Sequence, residues 1–157
     1  MKAASLSELK KELVTLKPDK VLEICLRLTK FKKDNKELLT YLLFESADEA
    51  SYINHVKQEM DLLFDEMNKS NVYFVKKSIR KILRLTTKQI KYSGLPQTEV
   101  ELLIHYCKKF KAAGFRTDKS AALYNLYHNQ FKKINKSLAY LHEDLQYDYQ
   151  KVLEGLQ

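Results

Sequence analysis

The side chains that could ligate a metal or act as a nucleophile are few and widely spaced in this chain. Its histidines are His55, His105, His128 and His142, and no two lie three or four positions apart, the spacing that places two ligands on one helix face. Three scattered glycines cannot form a phosphate-binding loop. We therefore predict no catalytic residue, no metal site and no cofactor, while an enzyme with a dispersed active site stays a further alternative.

The two cysteines, Cys25 and Cys107, lie in separate apolar segments. The N-terminal residues lack the apolar run of a secretory signal, and no stretch approaches the roughly 18 apolar residues that span a bilayer. We expect a soluble cytoplasmic protein in which both thiols are reduced and behave as small buried hydrophobic groups.

Charge is the feature of this chain that predicts binding. Residues 69–92 hold eight Lys or Arg and no acid, whereas residues 34–68 hold two basic and nine acidic residues. At about 100° per residue, six of these cations fall within an arc of roughly 100°, with one tyrosine near them. We call these residues the basic face: Tyr73, Lys77, Arg80, Lys81, Arg84, Lys88 and Lys91.

The basic face has several alternative roles. It could bind nucleic-acid phosphates, an acidic protein surface or an anionic membrane, or it could simply be solvated. It could also be neutralised internally by acids of the preceding segment, namely Glu59, Asp61, Asp65 and Glu66. Lysine lacks the fork that reads guanine, so nucleic-acid binding would be independent of base sequence. A membrane needs a free apolar face, which the core requires here, so lipid ranks below a protein partner.

The basic face is predicted to lie on a helix of an all-helical chain. Three Gly and two Pro in 157 residues allow few turns, which argues against a β fold, and the commonest residues are good helix formers. A capping box of Ser5 and Glu8 predicts a helix from Leu6 to Leu16, and Pro18 suits the first turn of the next helix. Asp34 and Glu37 form a second possible capping box, which predicts the start of a third helix.

Later breaks define four more segments. A helix is predicted over 49–67, and another over 72–92, with its N-cap at Ser70 or Asn71 and its end at Gly94. Thr98 and Glu101 predict the cap of a sixth helix, which Gly114 ends. The chain from 118 to 154 has near-heptad apolar spacing, and it forms either one long helix or two helices broken near 135–137. A long helix would offer a seam for homo-oligomers.

Residues 36–45, KELLTYLLFE, resemble stretches of uncharacterised all-helical proteins of bacteria, and the order of elements resembles HEAT- and armadillo-like helical hairpins. This resemblance implies a fold and no activity. We predict one all-α domain over 1–157, with antiparallel hairpins in a multi-helix bundle or short irregular solenoid and a long C-terminal helix. We expect a non-catalytic interaction or scaffold module whose basic face meets an acidic protein partner, with sequence-independent nucleic-acid binding as the alternative.

Overall fold

A computed structural model describes residues 1–156, and the chain is all-α, as its composition predicts. No strand is present in these residues, and none of their helices is long and apolar enough to cross a lipid bilayer. The helices are α1 (Leu6–Thr15), α2 (Pro18–Phe31), α3 (Lys33–Thr40), α4 (Glu49–Asp65), α5 (Val72–Ser93), α6 (Pro96–Ala112), α7 (Ala121–Leu138) and α8 (Glu143–Glu154). A π-helical turn spans Tyr41–Glu45 and a 3-10 turn spans Thr117–Lys119.

The chain divides into two compact units, Met1–Phe44 and Glu45–Gln157. In the first unit α2 packs against α3, and Tyr41 is the one buried residue among residues 1–44. Cys25 is exposed, so the prediction that both cysteines are buried is wrong for this thiol. Its helix carries apolar residues on more than one side, and α3 packs against only part of that surface. The single domain over 1–157 stays a prediction.

Helix α6 is the centre of the second unit. Helices α4, α5 and α7 pack against α6, and α8 packs against α7. Because it has neighbours on several sides, α6 is buried around most of its circumference, as Leu102, Tyr106 and Cys107 show. Burial raises the pKa of the Cys107 thiol to about 12, so this cysteine is an inert core residue. Helices gathered around a shared core form a bundle.

Several predicted helix ends are confirmed. Ser5 and Glu8 form the reciprocal capping box of α1, and Pro18 opens α2. Asn71 caps α5 by accepting a hydrogen bond from the Phe74 amide at 3.0 Å. Gly94 ends α5 with a φ of 68°, the left-handed conformation that glycine adopts at low cost.

Two predicted caps are wrong. The third helix begins at Lys33 after an extended Lys32, so Asp34 lies inside its first turn. In α6 the rigid ring of Pro96 begins the helix, which moves Thr98 into the first turn. The Thr98 hydroxyl is buried there and donates a hydrogen bond to the carboxylate of Glu49.

The predicted long C-terminal helix is also wrong, and its two-helix alternative is correct with a later break. Helix α7 ends at Leu138, and the amides of Tyr140 and Leu141 bond back to the carbonyls of Ser137 and Leu138 in a tight turn. His142 then caps α8. The hydroxyl of Tyr127 donates to the Leu156 carbonyl at 2.6 Å, so α8 returns antiparallel to α7. The apolar contacts that α7 and α8 make as a hairpin outweigh the local preference for one long helix that the continuous apolar spacing expresses.

Candidate functional site

The orientation of α5 follows from its sequence. One side carries Val75, Ile79, Ile82 and Ile90, which are buried against the rest of the second unit. The helix has 22 residues, about 33 Å at 1.5 Å per residue. Because the apolar side must face the core, the opposite side faces solvent along the whole length of this rigid element.

The basic face lies on that outer side, where the sequence predicts it. Lys77, Arg80, Lys81, Arg84 and Lys91 are exposed. Tyr73 is 66% exposed at the N-terminal end, so its ring is open to a ligand. Lys88 is half-buried, and its ammonium lies 5.9 Å from the centre of the Tyr92 ring. The row of cations is therefore presented outward, with Lys88 as its most enclosed member.

Glu59, Asp61, Asp65 and Glu66 form no ion pair with the exposed cations of this row within residues 1–156. The Asp61 carboxylate instead contacts His105 Nε2 at 2.6 Å and Lys109 Nζ at 3.3 Å, both on α6. Within residues 1–156, no ion pair joins an α4 carboxylate to an exposed cation of the basic face. The interpretation that Glu59, Asp61, Asp65 and Glu66 neutralise the basic face is therefore wrong. The reason is that α4 and α5 touch through their apolar sides, which keeps their charged sides apart.

A groove runs between α5 and α7, and we call it the α5–α7 groove. One part has a volume of 370 Å³ and the next has 590 Å³, and the two share Thr87, Lys91 and Lys133. The first part is lined by Arg80, Leu83, Arg84, Thr87, Lys88, Lys91, Leu126 and Lys133. The second part adds Ile90, Gly94, Leu95, Pro96, Glu99, Lys136, Ser137 and Tyr140. The basic face therefore forms one edge of a longer depression.

Chemically, the groove combines charged rims with apolar walls. Cations line it from both helices, from α5 and from Lys133 and Lys136 of α7. Leu83 of α5 and Leu126 of α7 line its first part, and we call them the apolar strip. Glu99 is the one acid among the described residues that line it, and it already accepts a hydrogen bond from the Ser137 hydroxyl at 2.5 Å. The groove is thus strongly cationic around an apolar strip.

Sequence reasoning missed the contribution of α7. Lys133 and Lys136 are three positions apart, so they share a helix face, and both are exposed. That spacing is visible in the sequence. The position of these two lysines next to α5 is not visible in the sequence. It depends on how α5 and α7 both pack against α6 and come to lie side by side.

A second polar cluster joins α4, α6 and α8. Glu101 accepts hydrogen bonds from Lys57 Nζ at 2.7 Å and from the Tyr149 hydroxyl at 3.1 Å. Burial raises the pKa of Glu101, but Lys57, Gln97 and Tyr149 outweigh it, so this pKa lies below the ordinary value. The adjacent cavity holds only 110 Å³. With its charges paired and little space beside it, the cluster ties three helices together.

The described residues contain no group of three or more His, Cys, Asp or Glu placed to hold a metal ion. Comparison of the chain with protein-family models, with curated proteins and with solved structures finds no match. The α5–α7 groove therefore stands on its own geometry as the candidate functional site.

Proposed function

We propose that this protein is a non-catalytic interaction module that binds an acidic amphipathic segment of a partner protein in the α5–α7 groove. The observation that carries the proposal is that cations of two helices and the apolar strip line the same groove. An acidic helix with one apolar side matches both features at once, which is the helix-in-groove mode of peptide recognition.

The length of the groove sets the length of the ligand. Arg80 and Lys91 mark the α5 rim, and eleven steps of 1.5 Å separate them by about 16 Å. A bound helix of about three turns would place acids against both rims and apolar side chains against Leu83 and Leu126. Cations on two rigid helices need little ordering on binding, which favours affinity.

Nucleic acid fits the groove less completely. Phosphates would engage the rims and release counterions, but they would leave Leu83 and Leu126 without an apolar partner. Tyr73 and Tyr140 are exposed and offer surfaces for stacking, but neither lines the part of the groove that holds Leu83 and Leu126. The geometry therefore supports an acidic protein segment better, and nucleic acid is the competing outcome of the test.

The test uses three fluorescent probes at physiological salt. The first is a peptide of roughly 14 residues with Leu at helical spacing and Glu elsewhere, the second has the same residues in an order without an apolar face, and the third is single-stranded DNA of similar charge. We expect the first peptide to bind at least about tenfold more tightly than the other two. Equal binding of both peptides, or tighter binding of DNA, would contradict the proposal.

The variant for this assay is Arg80→Glu, Arg84→Glu and Lys133→Glu together. Its matched control reverses three exposed lysines outside the groove, with the same change in net charge: Lys69, Lys108 and Lys119. If the groove variant loses peptide binding and the control variant keeps it, the peptide binds in the groove. Equal loss in both variants would show that binding follows net charge and would overturn the assignment.

A further inference from the structure

The N-terminal half of α5 carries a pocket of 660 Å³, which we call the α5 pocket. This volume lies in the range of sites that bind small ligands. Within residues 1–156, every residue that lines the pocket belongs to α5: Tyr73, Lys76, Lys77, Arg80, Lys81 and Arg84. Five cations and one tyrosine therefore form the lining, with no carboxylate and no aliphatic side chain among them.

The cations of the α5 pocket lie close enough to repel one another. Lys76 and Arg80 are four positions apart on one helix face, and so are Arg80 and Arg84, and Lys77 and Lys81. Like charges at this spacing destabilise a helix. Within residues 1–156, no acid forms an ion pair with any of these five cations. Because the chain supplies no counter-charge, an anion from solution that binds here relieves the repulsion.

The lining of the α5 pocket separates it from the α5–α7 groove. Arg80 and Arg84 line both, but the groove adds the apolar strip, whereas the pocket adds three lysines and Tyr73. An amphipathic segment would find no aliphatic partner in the pocket. The pocket therefore fits a ligand whose surface is almost entirely anionic oxygen.

Phosphate groups match these side chains. A terminal phosphate carries up to about two negative charges at pH 7 and three acceptor oxygens, so it concentrates more charge than a carboxylate does. The guanidinium groups of Arg80 and Arg84 have the fork geometry that holds two phosphate oxygens at once, while lysine ammonium groups act as point charges. Lys76 and Arg84 are eight steps of 1.5 Å apart, about 12 Å, so a compact ligand with several phosphates spans all five cations.

The surface beyond Arg84 favours a compact ligand over a long polyanion. Leu83 and Leu126 line the next part of the surface, and a phosphate chain would leave them without an apolar partner. The next cation along α5, Lys88, is half-buried, with its ammonium 5.9 Å from the centre of the Tyr92 ring. The dense cluster of exposed charge is therefore confined to the α5 pocket.

We propose that the α5 pocket binds a small, free polyphosphate anion. Arg80 and Arg84 hold its phosphate oxygens, and Lys76, Lys77 and Lys81 neutralise the remaining charge. The three lysines line the pocket and not the α5–α7 groove, so this proposal does not depend on what the groove binds.

The experiment is isothermal titration calorimetry of the full chain with inorganic tripolyphosphate at physiological salt. Butanetetracarboxylate, a compact anion that carries carboxylates in place of phosphates, is the comparison ligand. We expect tripolyphosphate to bind at least about tenfold more tightly. Equal binding of the two anions would overturn the proposal. Binding of single-stranded RNA or of vesicles with anionic lipid through Lys77 and Lys81, without binding of tripolyphosphate, would also overturn it.

Two exposed lysines of the pocket give the variant, Lys77→Gln with Lys81→Gln, which should weaken tripolyphosphate binding by at least about tenfold. Lys108→Gln with Lys119→Gln is the matched control, because these lysines are exposed outside the pocket and their loss changes the net charge equally. Equal weakening in both would show that binding follows net charge and would overturn the site.

Thermal unfolding gives a second measurement on the same proteins. A ligand that binds only the folded state raises Tm, so saturating tripolyphosphate should raise the Tm of wild type and of the control. It should leave the Tm of the Lys77→Gln, Lys81→Gln variant almost unchanged. A wild-type Tm that does not respond to tripolyphosphate would contradict binding in the α5 pocket.

Discussion

The carboxylate of Asp61 on α4 lies 2.6 Å from Nε2 of His105 on α6. Lys109 Nζ reaches the same oxygen at 3.3 Å, so one acid of α4 holds two partners on the central helix. This contact directs the negative charge of Asp61 toward α6 and away from α5. Asp61 therefore makes no ion pair with the exposed cations of the basic face, although its helix directly precedes α5 in the chain.

The Asp61 contact makes stability depend on pH. Burial raises the pKa of Asp61, but His105 and then Lys109 outweigh it, so this pKa lies below its ordinary value. A lowered folded-state pKa stabilises the protein above the unfolded pKa of about 3.9, and that contribution is lost as the pH falls through the folded value. Since the carboxylate is partly exposed, we expect Asp61→Asn to cost about 0.5–1 kcal/mol at pH 7.

Urea unfolding of Asp61→Asn and wild type at pH 7 and near pH 3 checks this prediction. The difference in unfolding free energy should shrink at the lower pH. Asp65→Asn is the control, because Asp65 is exposed on the same helix and makes no ion pair within residues 1–156. A difference that is the same at both pH values would refute the electrostatic origin.

Two tyrosines of the second unit should respond oppositely to loss of the hydroxyl. The Tyr106 hydroxyl is buried and has no hydrogen-bond partner among the described residues, whereas the Tyr127 hydroxyl donates to the Leu156 carbonyl. We expect Tyr106→Phe to be neutral or to raise the free energy of unfolding by up to about 1 kcal/mol, and Tyr127→Phe to lower it by about 1 kcal/mol. Thermal and urea unfolding measure both, and destabilisation by Tyr106→Phe would show that this hydroxyl has a partner after all.

The turn after α5 depends on glycine at one position. Gly94 has a φ of 68°, and a β-carbon there would meet no atom within 4 Å, so the cost of a side chain is conformational. We expect Gly94→Ala to lower the free energy of unfolding by about 1 kcal/mol. Gly155, with a φ of −71°, gives the matched control, and Gly155→Ala should change stability little. Equal effects at the two glycines would be inconsistent with this account.

The apolar strip of the α5–α7 groove should separate peptide binding from simple charge attraction. Leu126 is half-exposed and lines the groove beside cations of both helices, so Leu126→Gln removes apolar contact and keeps every charge. We expect affinity for the acidic amphipathic peptide to fall by about fivefold to tenfold, with binding of single-stranded DNA unchanged. Fluorescence anisotropy measures both affinities. A variant that binds the peptide as tightly as wild type would show that the strip is not used.

The helices and the outward position of the basic face were predictable because both follow from local spacing. Apolar residues on one side of α5 require the cations to face outward, whatever packs beneath. Lys133 and Lys136 could not be joined to that face from sequence, because α7 reaches α5 only through the arrangement around α6. The groove therefore depends on tertiary packing, although the spacing of the cations along each helix can be read from the sequence.

The break at residues 139–142 shows a different limit. Apolar spacing continues through it, so periodicity alone favours one helix, and no glycine or proline marks the turn. The hairpin forms because α8 can return and bury Leu153 within the second unit.

The central claim is that an acidic amphipathic segment lies along the apolar strip between the two rows of cations. Titration of methyl-labelled protein with the Leu- and Glu-containing peptide, followed by NMR, tests it most directly. The account predicts that the largest shifts occur at the methyl groups of Leu83 and Leu126, with smaller changes at those of Leu102 and Leu103 in the buried α6. Shifts centred on α4 or α8, or binding that leaves the Leu83 and Leu126 methyl groups unshifted, would contradict it.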